Sequence, residues 1–308
     1  MPRGSSANLS RLITRSAALA AVVASVASGQ QPSGSGTWAA VTQAIGRSGT
    51  LLAGGVMKYG FPRSDLHVTV GDVSVKPALA LGGWVAFEMT GPGRAMAMGD
   101  LVLTPEEVAP VMRALQSGGV DQTALHNHLL GENPRLMYMH VMGMGDPVKI
   151  ATAIRDALKL TGTPAPPSNA PAVVAGAIDL DTAAIARALG RSGAVIGGVY
   201  QVGVPRAERI TDAGAVIPPT MGVATGINFQ PTGGGRAAIT WDFVLLPNEV
   251  NPVIRALMSH GIRVTAIHSH MLDERPRIFF MHFWANGNAV ALARGVRSAL
   301  DLMHVRQP

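Results

Sequence analysis

The chain has 308 residues, of which 47% are apolar and 14% are charged, and it contains no cysteine. With a mean hydropathy of +0.26, it buries enough apolar surface to fold, which excludes a disordered tail protein. The lack of cysteine excludes disulfide frameworks, thiolate zinc sites, iron–sulfur clusters and cysteine nucleophiles. The length predicts about two domains, and any metal must bind histidine, aspartate, glutamate or backbone oxygen.

Residues 1–29 have the pattern of a signal peptide. Three arginines precede the apolar run 17–24, and small residues follow it. The run is too short to span a bilayer; an alanine-rich helix that frays is the alternative. We therefore expect a periplasmic or secreted protein, without a stable membrane anchor because no cysteine follows the run. Residues 30–37 are rich in Gln, Pro, Ser and Gly, which predicts a flexible leader.

The charge of the chain does not indicate a nucleic-acid partner. The formal net charge is +6, and removal of residues 1–29 would leave 22 basic against 19 acidic residues. No cluster of Lys and Arg with interleaved aromatic residues is present in the sequence. We expect no nucleic acid among its partners.

The chain repeats itself with an offset of 142 residues. Residues 101–115 align with 243–257, and the motif around Phe87 aligns with that around Phe229. Two homologous domains are therefore predicted, at 38–160 and 178–304. Residues 161–177 are rich in proline and small residues, which predicts an extended linker between them.

Each copy is predicted to fold as a helix, several strands, a second helix, a hairpin and a final helix. Residues 104–107, Thr-Pro-Glu-Glu, predict an N-cap, a proline at the first helical position and a capping box. That helix should end near Gly118. A further helix should begin at Asp146-Pro147, since apolar side chains recur at helical spacing from 148 to 158.

The predicted hairpin lies between these two helices. Residues 122–128 and 135–141 alternate in the manner of strands around turn-forming residues at 131–134. The fold class is therefore α+β. It is a tandem repeat of two homologous α/β domains, each a mixed or antiparallel sheet with a histidine-bearing hairpin and flanking helices.

Two copies of one histidine pattern carry the chemistry. The members are His126, His128, Glu132 and His140 in the first copy, and His268, His270, Glu274 and His282 in the second. Side chains at i and i+2 of a strand share a face, and a hairpin centred on Asn133 would place His140 directly opposite His126. Cross-strand Cβ atoms lie about 4.5–5.5 Å apart, so each copy is predicted to hold one three-histidine metal site.

The nature of these sites stays open at the level of sequence. The lack of cysteine favours Zn²⁺, or another first-row transition metal, whereas a hydrogen-bonded polar cluster is the alternative. Three protein ligands would leave an open, catalytic position. Glu132 and Glu274 could each be a fourth ligand, could orient a ligand, or could act as a catalytic acid or base.

Other candidate residues are less specific. His67 occurs in the first copy only, and Glu88 is replaced by Gln230 in the second copy. Lys58 and Arg63 could hold an anionic substrate, with a solvated surface as the alternative.

Several of these motifs resemble a known family. Residues 54–58, 85–87, 124–132 and 280–284 are similar to the LppY/LpqO family of exported bacterial proteins, and the resemblance covers most of residues 45–303. That family has no established biochemical function. The histidine spacing also resembles the zinc site of alpha-acetolactate decarboxylase and the metal motif of the plant and prokaryote conserved domain. These likenesses imply that the six histidines are zinc ligands.

The sequence therefore favours an exported protein with two metal sites. Such a protein could be a zinc-dependent lyase or hydrolase that acts on a small-molecule, polar substrate. In such an enzyme the metal would polarise a carbonyl group or acidify a bound water. The alternative is a non-catalytic metal-binding or cell-envelope interaction module. The oligomeric state is left open.

Overall fold

The computed structural model describes residues 35–165 and 178–307. The predicted signal peptide, 1–29, lies outside the described residues, as does most of the predicted linker. The leader prediction, 30–37, is wrong over its last residues, because the first helix already begins at Ser35. Trp38, on that helix, packs against the core of the first repeat.

The first repeat contains four helices and nine strands. These are α1 (Ser35–Ile45), β1 (Thr50–Leu51), β2 (Met57–Pro62), β3 (Thr69–Val70), β4 (Val73–Ser74), α2 (Pro77–Ala80), β5 (Gly82–Gly91), β6 (Arg94–Leu103), α3 (Pro105–Ser117), β7 (Asp121–His126), β8 (Glu132–Asn133), β9 (Met137–Gly145) and α4 (Pro147–Leu158).

The second repeat follows the same order, except that a 3-10 helix (Pro219–Met221) replaces α2 and, within 178–307, no strand corresponds to β8. Its elements are α5 (Thr182–Leu189), β10 (Ala194–Ile196), β11 (Val199–Pro205), β12 (Thr211–Asp212), β13 (Ala215–Val216), β14 (Ala224–Gly233), β15 (Arg236–Leu245), α6 (Val250–Ser259), β16 (Arg263–His268), β17 (Phe279–Asn288) and α7 (Ala289–Leu300). The predicted tandem α+β organisation is confirmed. No helix in the described ranges is long and apolar enough to cross a bilayer.

Each repeat is built on one six-stranded antiparallel sheet. The strand order is β1-β2-β5-β6-β9-β7 in the first repeat and β10-β11-β14-β15-β17-β16 in the second. The helix starts follow their capping residues. Asp146 accepts hydrogen bonds from the backbone N–H groups of Val148 and Lys149, and Glu107 Oε2 accepts from the Thr104 N–H at 2.9 Å.

Alternate side chains of each central strand belong to different cores. On β5, Val85 and Phe87 pack with the helices of the first repeat, whereas Trp84 and Ala86 pack against side chains of the second repeat. The two sheets therefore face each other between two outer layers of helices. We call the region between the two sheets the seam.

The predicted linker begins as part of the first repeat. The Gly162 N–H donates to Glu107 Oε1 at 2.7 Å, and Arg47 donates to the carbonyl oxygen of Pro164 at 2.8 Å. Residues 161–165 are thus held against the first repeat by polar contacts, and the rest of the predicted linker lies outside the described residues.

The predicted pairing of the histidine hairpin is wrong by two residues. β7 pairs with β9, but His126 lies opposite Tyr138 and His140 lies opposite Ala124. The second repeat has the same register, with His268 opposite Phe280. The connection between β7 and β9 is not a tight turn, because it contains β8, which pairs with β3. A shift of two residues preserves the face of each side chain, so the histidines still share one face.

Candidate metal centre

The six histidines of the two repeats meet in the seam as one cluster. The ring centroids of His126 and His268 lie 3.6 Å apart. Those of His128 and His282 lie 3.8 Å apart, and those of His140 and His270 lie 3.5 Å apart. Every close pair therefore joins one histidine from each repeat. We call these residues the six-histidine cluster.

The cluster has approximate two-fold symmetry. His126 stacks on its own counterpart in the other repeat, since the offset of 142 relates it to His268. The pair His128–His282 becomes the pair His270–His140 under the same offset. Reciprocal contacts of this kind define a two-fold interface, here between two halves of one chain.

The loop that carries His128 is hydrogen-bonded to the opposite repeat. Thr265 Oγ1 donates to the carbonyl oxygen of His128 at 2.6 Å, and Asn127 Nδ2 donates to the carbonyl oxygen of Thr265 at 3.2 Å. The His128 ring also stacks on Tyr138, with centroids 3.4 Å apart. The hydrogen bonds fix the loop backbone, and the Tyr138 ring fixes the imidazole.

Each histidine of the cluster has a buried, unpaired nitrogen. Among the described residues, none of the six Nε2 atoms has a hydrogen-bond partner. The Nδ1 atom of His126 lies 3.1 Å from the carbonyl oxygen of Asn127, and that of His282 lies 3.0 Å from the carbonyl oxygen of Trp241. Hydrogen bonds at Nδ1 place the proton there and leave the Nε2 lone pair free for a metal.

The cluster disfavours positive charge. Burial, and to a smaller extent the neighbouring His282, lowers the pKa of His126 to about 3. Burial and neighbouring histidines also hold the pKa values of His128, His140, His268 and His270 below their ordinary range. Near pH 7 these imidazoles are therefore neutral, which is the state that binds a metal.

The ligand nitrogens fall into two groups that share one residue. His126, His128 and His140 form one group, in which one ligand atom from each residue lies within 4.8 Å of the others. The second group, by the same measure, is His126, His268, His270 and His282. Each predicted set of three is therefore brought together, and the face-to-face packing of the sheets joins the two sets through His126.

Two aspartates complete the centre. Asp100 lies opposite His140 on β6 and β9, and Asp242 lies opposite His282 on β15 and β17. Asp100 Oδ2 is 3.4 Å from His128 Nε2, and Asp242 Oδ1 is 2.9 Å from His282 Nδ1. Burial and the negative charge of Asp242 raise the pKa of the Asp100 carboxyl well above its usual value, while Lys58 opposes the shift.

The two predicted glutamates are not members of the two histidine groups. Among the described residues, neither Glu132 nor Glu274 belongs to the sets of side chains close enough to share a metal. Glu132 lies on β8, opposite Val70. Glu274 accepts hydrogen bonds from Arg277 and from the backbone N–H of Ile278. Their predicted roles as orienting groups or as catalytic acids and bases stay predictions.

One cavity reaches the cluster, and a larger one shares part of its wall. The smaller, of about 220 Å³, is lined by Asp100, His140, Asp242 and His270, together with Lys58 and two tryptophans. The larger, of about 580 Å³, shares Lys58, Trp84 and Trp241 with it. Burial lowers the pKa of Lys58 to about 8, although Asp100 opposes this shift. A cavity of the larger size fits a small organic ligand.

The comparisons with known proteins place the chain in a family. The family model described as Domain of Unknown Function (DUF1259) matches it twice, over residues 39–160 and 183–302. The chain belongs to the DUF1259 family. The match confirms two predictions: that the chain contains two repeats, and that its family has no characterised function. No functionally curated protein matches the chain.

Two solved structures are similar to this DUF1259 member at low identity. The trimeric bacterial microcompartment shell protein PduB is 14% identical with a TM-score of 0.20, over 82% of this chain and 92% of that one. Ethanolamine utilization protein EutL from Leptotrichia buccalis C-1013-b is 10% identical with a TM-score of 0.18, over 69% of this chain and 82% of that one. Such TM-scores carry no inference about function or assembly.

The sequence analysis did not identify Asp100 and Asp242 of this DUF1259 member as site residues, although the sequence contains a pattern that indicates them. Both carboxylates interrupt long apolar strands, and the offset of 142 relates them. A charged residue in the middle of a buried strand, repeated at the equivalent position, indicates a site. Arg63, by contrast, is buried and paired with Asp65 and Glu107, so it is not available to an anionic substrate.

Proposed function

We propose that the six-histidine cluster binds a first-row transition metal, with Zn²⁺ as the leading candidate, and that the protein is a metal-dependent lyase or hydrolase of a small polar substrate. The set of six buried Nε2 atoms without a partner carries this proposal. Leaving so many polar atoms unpaired is unfavourable, and a metal ion would satisfy them. Imidazole ligands without thiolates favour Zn²⁺ over Mg²⁺ or Ca²⁺.

The residues around the cluster support a catalytic role. A bound Zn²⁺ would polarise a substrate carbonyl group or acidify a water. Asp100, with its raised pKa, would hold or release a proton at its carboxyl oxygen, 3.4 Å from His128 Nε2. Asp242 would orient His282 through Nδ1. The smaller cavity gives a substrate access to both carboxylates.

A non-catalytic metal-binding or envelope-interaction role is the second candidate. The group of four histidines favours it, because four ligands can close a tetrahedral zinc site. The two candidates differ in whether the metal keeps a position open to exogenous ligands.

Export and the finer family relationships belong to the same proposal. The basic, apolar and small segments of residues 1–29 support a periplasmic or secreted location. Membership of the LppY/LpqO family rests on the motifs around residues 85–87 and 124–132. The kinship with alpha-acetolactate decarboxylase rests on histidine spacing alone. Recovery of soluble cytoplasmic protein that retains Met1 would contradict export.

Elemental analysis of the purified protein without a histidine tag tests the metal site. We expect one or two equivalents of a transition metal per chain, and a loss of at least half in His126→Asn, because His126 belongs to both groups. His67→Asn is the matched control, since His67 is exposed. Circular dichroism of each variant separates loss of metal from loss of fold. A wild-type protein that stays metal-free after dialysis against Zn²⁺, Co²⁺ and Mn²⁺ refutes the site.

Cobalt substitution then separates the two roles. In an enzyme with an open position, azide or a substrate carboxylate should alter the visible absorption of the Co²⁺-loaded protein. An unchanged spectrum would mean that the protein saturates the metal, which favours the non-catalytic role.

A further inference from the structure

The walls of the two cavities break the symmetry of the cluster. The histidines and aspartates recur in both repeats, but the strand register makes Gln201 the counterpart of Lys58, since Lys58 lies opposite Ala86 and Gln201 opposite Asn228. The offset of 142 likewise makes Gly226 the counterpart of Trp84. A symmetric centre thus opens into an asymmetric cavity, as the recognition of an asymmetric ligand requires.

Lys58 is the cation of this cavity. Its Nζ atom lies 4.2 Å from the centroid of the Trp84 ring. Among the described residues no side chain lies within hydrogen-bond or ion-pair distance of this ammonium group, although the charge of Asp100 acts on it from farther away. Lys58 lines both cavities and is the one basic residue among their lining side chains. A half-buried ammonium that lies over an aromatic ring and has no ion-pair partner within 4 Å among the described residues has capacity for an anionic partner.

Trp241 is held in the cavity wall at a structural cost. Its φ of 139° is unusual for a residue other than glycine. A Cβ atom at Gly226 would lie 2.3 Å from Trp241 Cδ1, so the indole occupies space that only glycine leaves free. Strained residues that persist in a native fold commonly serve a site.

We propose that the larger cavity binds a small carboxylate with a planar or apolar body. The carboxylate pairs with Lys58, the body lies against Trp84 and Trp241, and the other end of the ligand enters the smaller cavity beside Asp100. A single cation matches a singly charged carboxylate, whereas a phosphate group is commonly held by several donors or a bidentate arginine. The carboxylate contact stands independently of the metal; only the reaction of the far end rests on the proposed function.

The test compares a carboxylate with its neutral isostere. Ligand-observed ¹⁹F NMR follows the binding of 4-fluorobenzoate and 4-fluorobenzamide to the full chain. We expect Lys58→Gln, which installs the residue of the second repeat, to weaken 4-fluorobenzoate about tenfold or more, the order of one charge-assisted hydrogen bond. Binding of the amide should change little. Lys149→Gln is the matched control, because Lys149 is exposed on α4.

Each titration is run on metal-loaded and on chelator-treated protein. Loss of carboxylate affinity in Lys58→Gln under both conditions supports the proposal. Equal affinity of Lys58→Gln and wild type for 4-fluorobenzoate overturns it. If chelation alone abolishes binding to the wild type, the carboxylate binds the metal, so the Lys58 contact is refuted while the proposed function survives. No binding of either probe to the wild type also overturns it. Failure of the proposed function would be detected separately, because elemental analysis would then find no metal bound to the protein.

Discussion

At the scale of residues, the state of the histidine nitrogen atoms determines whether the seam can bind a metal. Six Nε2 atoms are buried there without partners, and burial lowers the pKa of most of these rings. Neutral imidazoles with free lone pairs constitute a ligand set, whereas protonated imidazoles packed 3.5 Å apart, as in His140 and His270, would repel each other. The chemistry of the centre thus follows from the exclusion of water.

The glycine beneath Trp241 gives a prediction at the same scale. Gly226→Ala should lower the free energy of unfolding by about 1–3 kcal/mol, as overpacking does, because the new Cβ would meet Trp241 Cδ1 at 2.3 Å. Urea denaturation followed by tryptophan fluorescence measures the change.

Gly203→Ala is the matched control for Gly226→Ala. The two glycines are register partners on β11 and β14, and a Cβ at Gly203 meets no atom within 4 Å. The control should be neutral or slightly stabilising. Equal stability of the two variants would show that Trp241 does not need the space above Gly226.

At the scale of elements, one buried arginine in each repeat ties the end of a strand to the start of a helix. Arg206 donates to the carbonyl oxygen of Val244 on β15 at 2.7 Å and to Glu249 Oε2, beside α6, at 2.7 Å. Arg63 makes the equivalent bonds to Val102 and Glu107. The strands that carry Asp100 and Asp242 are thereby fixed relative to the outer helices.

Removal of the carboxylate should be costly at this junction. Glu249→Ala would leave the buried Arg206, 2% exposed, with Glu208 as its remaining carboxylate partner, and we expect a loss of about 3 kcal/mol of unfolding free energy, the lower end for a broken buried pair. Asp301→Ala removes a partner from the exposed pair with Arg297 and should change stability by less than about 1 kcal/mol. Thermal denaturation compares the two variants. A Glu249→Ala protein as stable as Asp301→Ala would show that the junction contributes little.

At the scale of the whole molecule, the two repeats are stabilised by a seam that contains both apolar and ionisable side chains. Val56 and Met98 of the first repeat pack with Met221 and Phe280 of the second. Gln230 Oε1 accepts from the Lys76 N–H at 2.8 Å. Since the cluster lies in this interface, its protonation should act on the whole fold.

The metal-free protein should therefore lose stability in mild acid. Unfolded histidines bind protons below a pKa of about 6.5, whereas the folded pKa of His126 is about 3. The unfolded state then binds more protons, so the free energy of unfolding falls as the pH drops below about 7 toward 3. Asp100 has a raised pKa and therefore opposes this change. It is one group, whereas several histidines have lowered pKa values, so the net effect of acid is a loss of stability.

Urea midpoints of chelator-treated protein at pH 7.5, 6.5 and 5.5 measure the effect. Each histidine protonated only in the unfolded state contributes a slope of about 1.4 kcal/mol per pH unit. The double variant His126→Asn with His268→Asn should have a shallower slope, and the exposed-site variant His67→Asn should match the wild type. A flat profile for the wild type would mean that the cluster accepts protons while folded.

Local features of the fold could be predicted because they depend on residues close in the chain. The start of α3 follows from Thr104, Pro105 and Glu107, and the start of α4 follows from the Asp146 side chain. The alternation of apolar residues predicted the strands, and the offset of 142 predicted two repeats. The shared face of His126, His128 and His140 also follows from strand parity, which survives a register error of two residues.

The sequence by itself thus determined the repeat, the helix starts, the antiparallel α+β units and the six histidines. Only the tertiary structure decided that both histidine sets form one cluster, because residues 142 positions apart meet only when the two sheets pack face to face. It also brought Asp100 and Asp242, which sequence reasoning had not singled out, next to the imidazoles. Parity within a strand is a local property, whereas the partner of a buried face depends on how complete sheets exclude water between them.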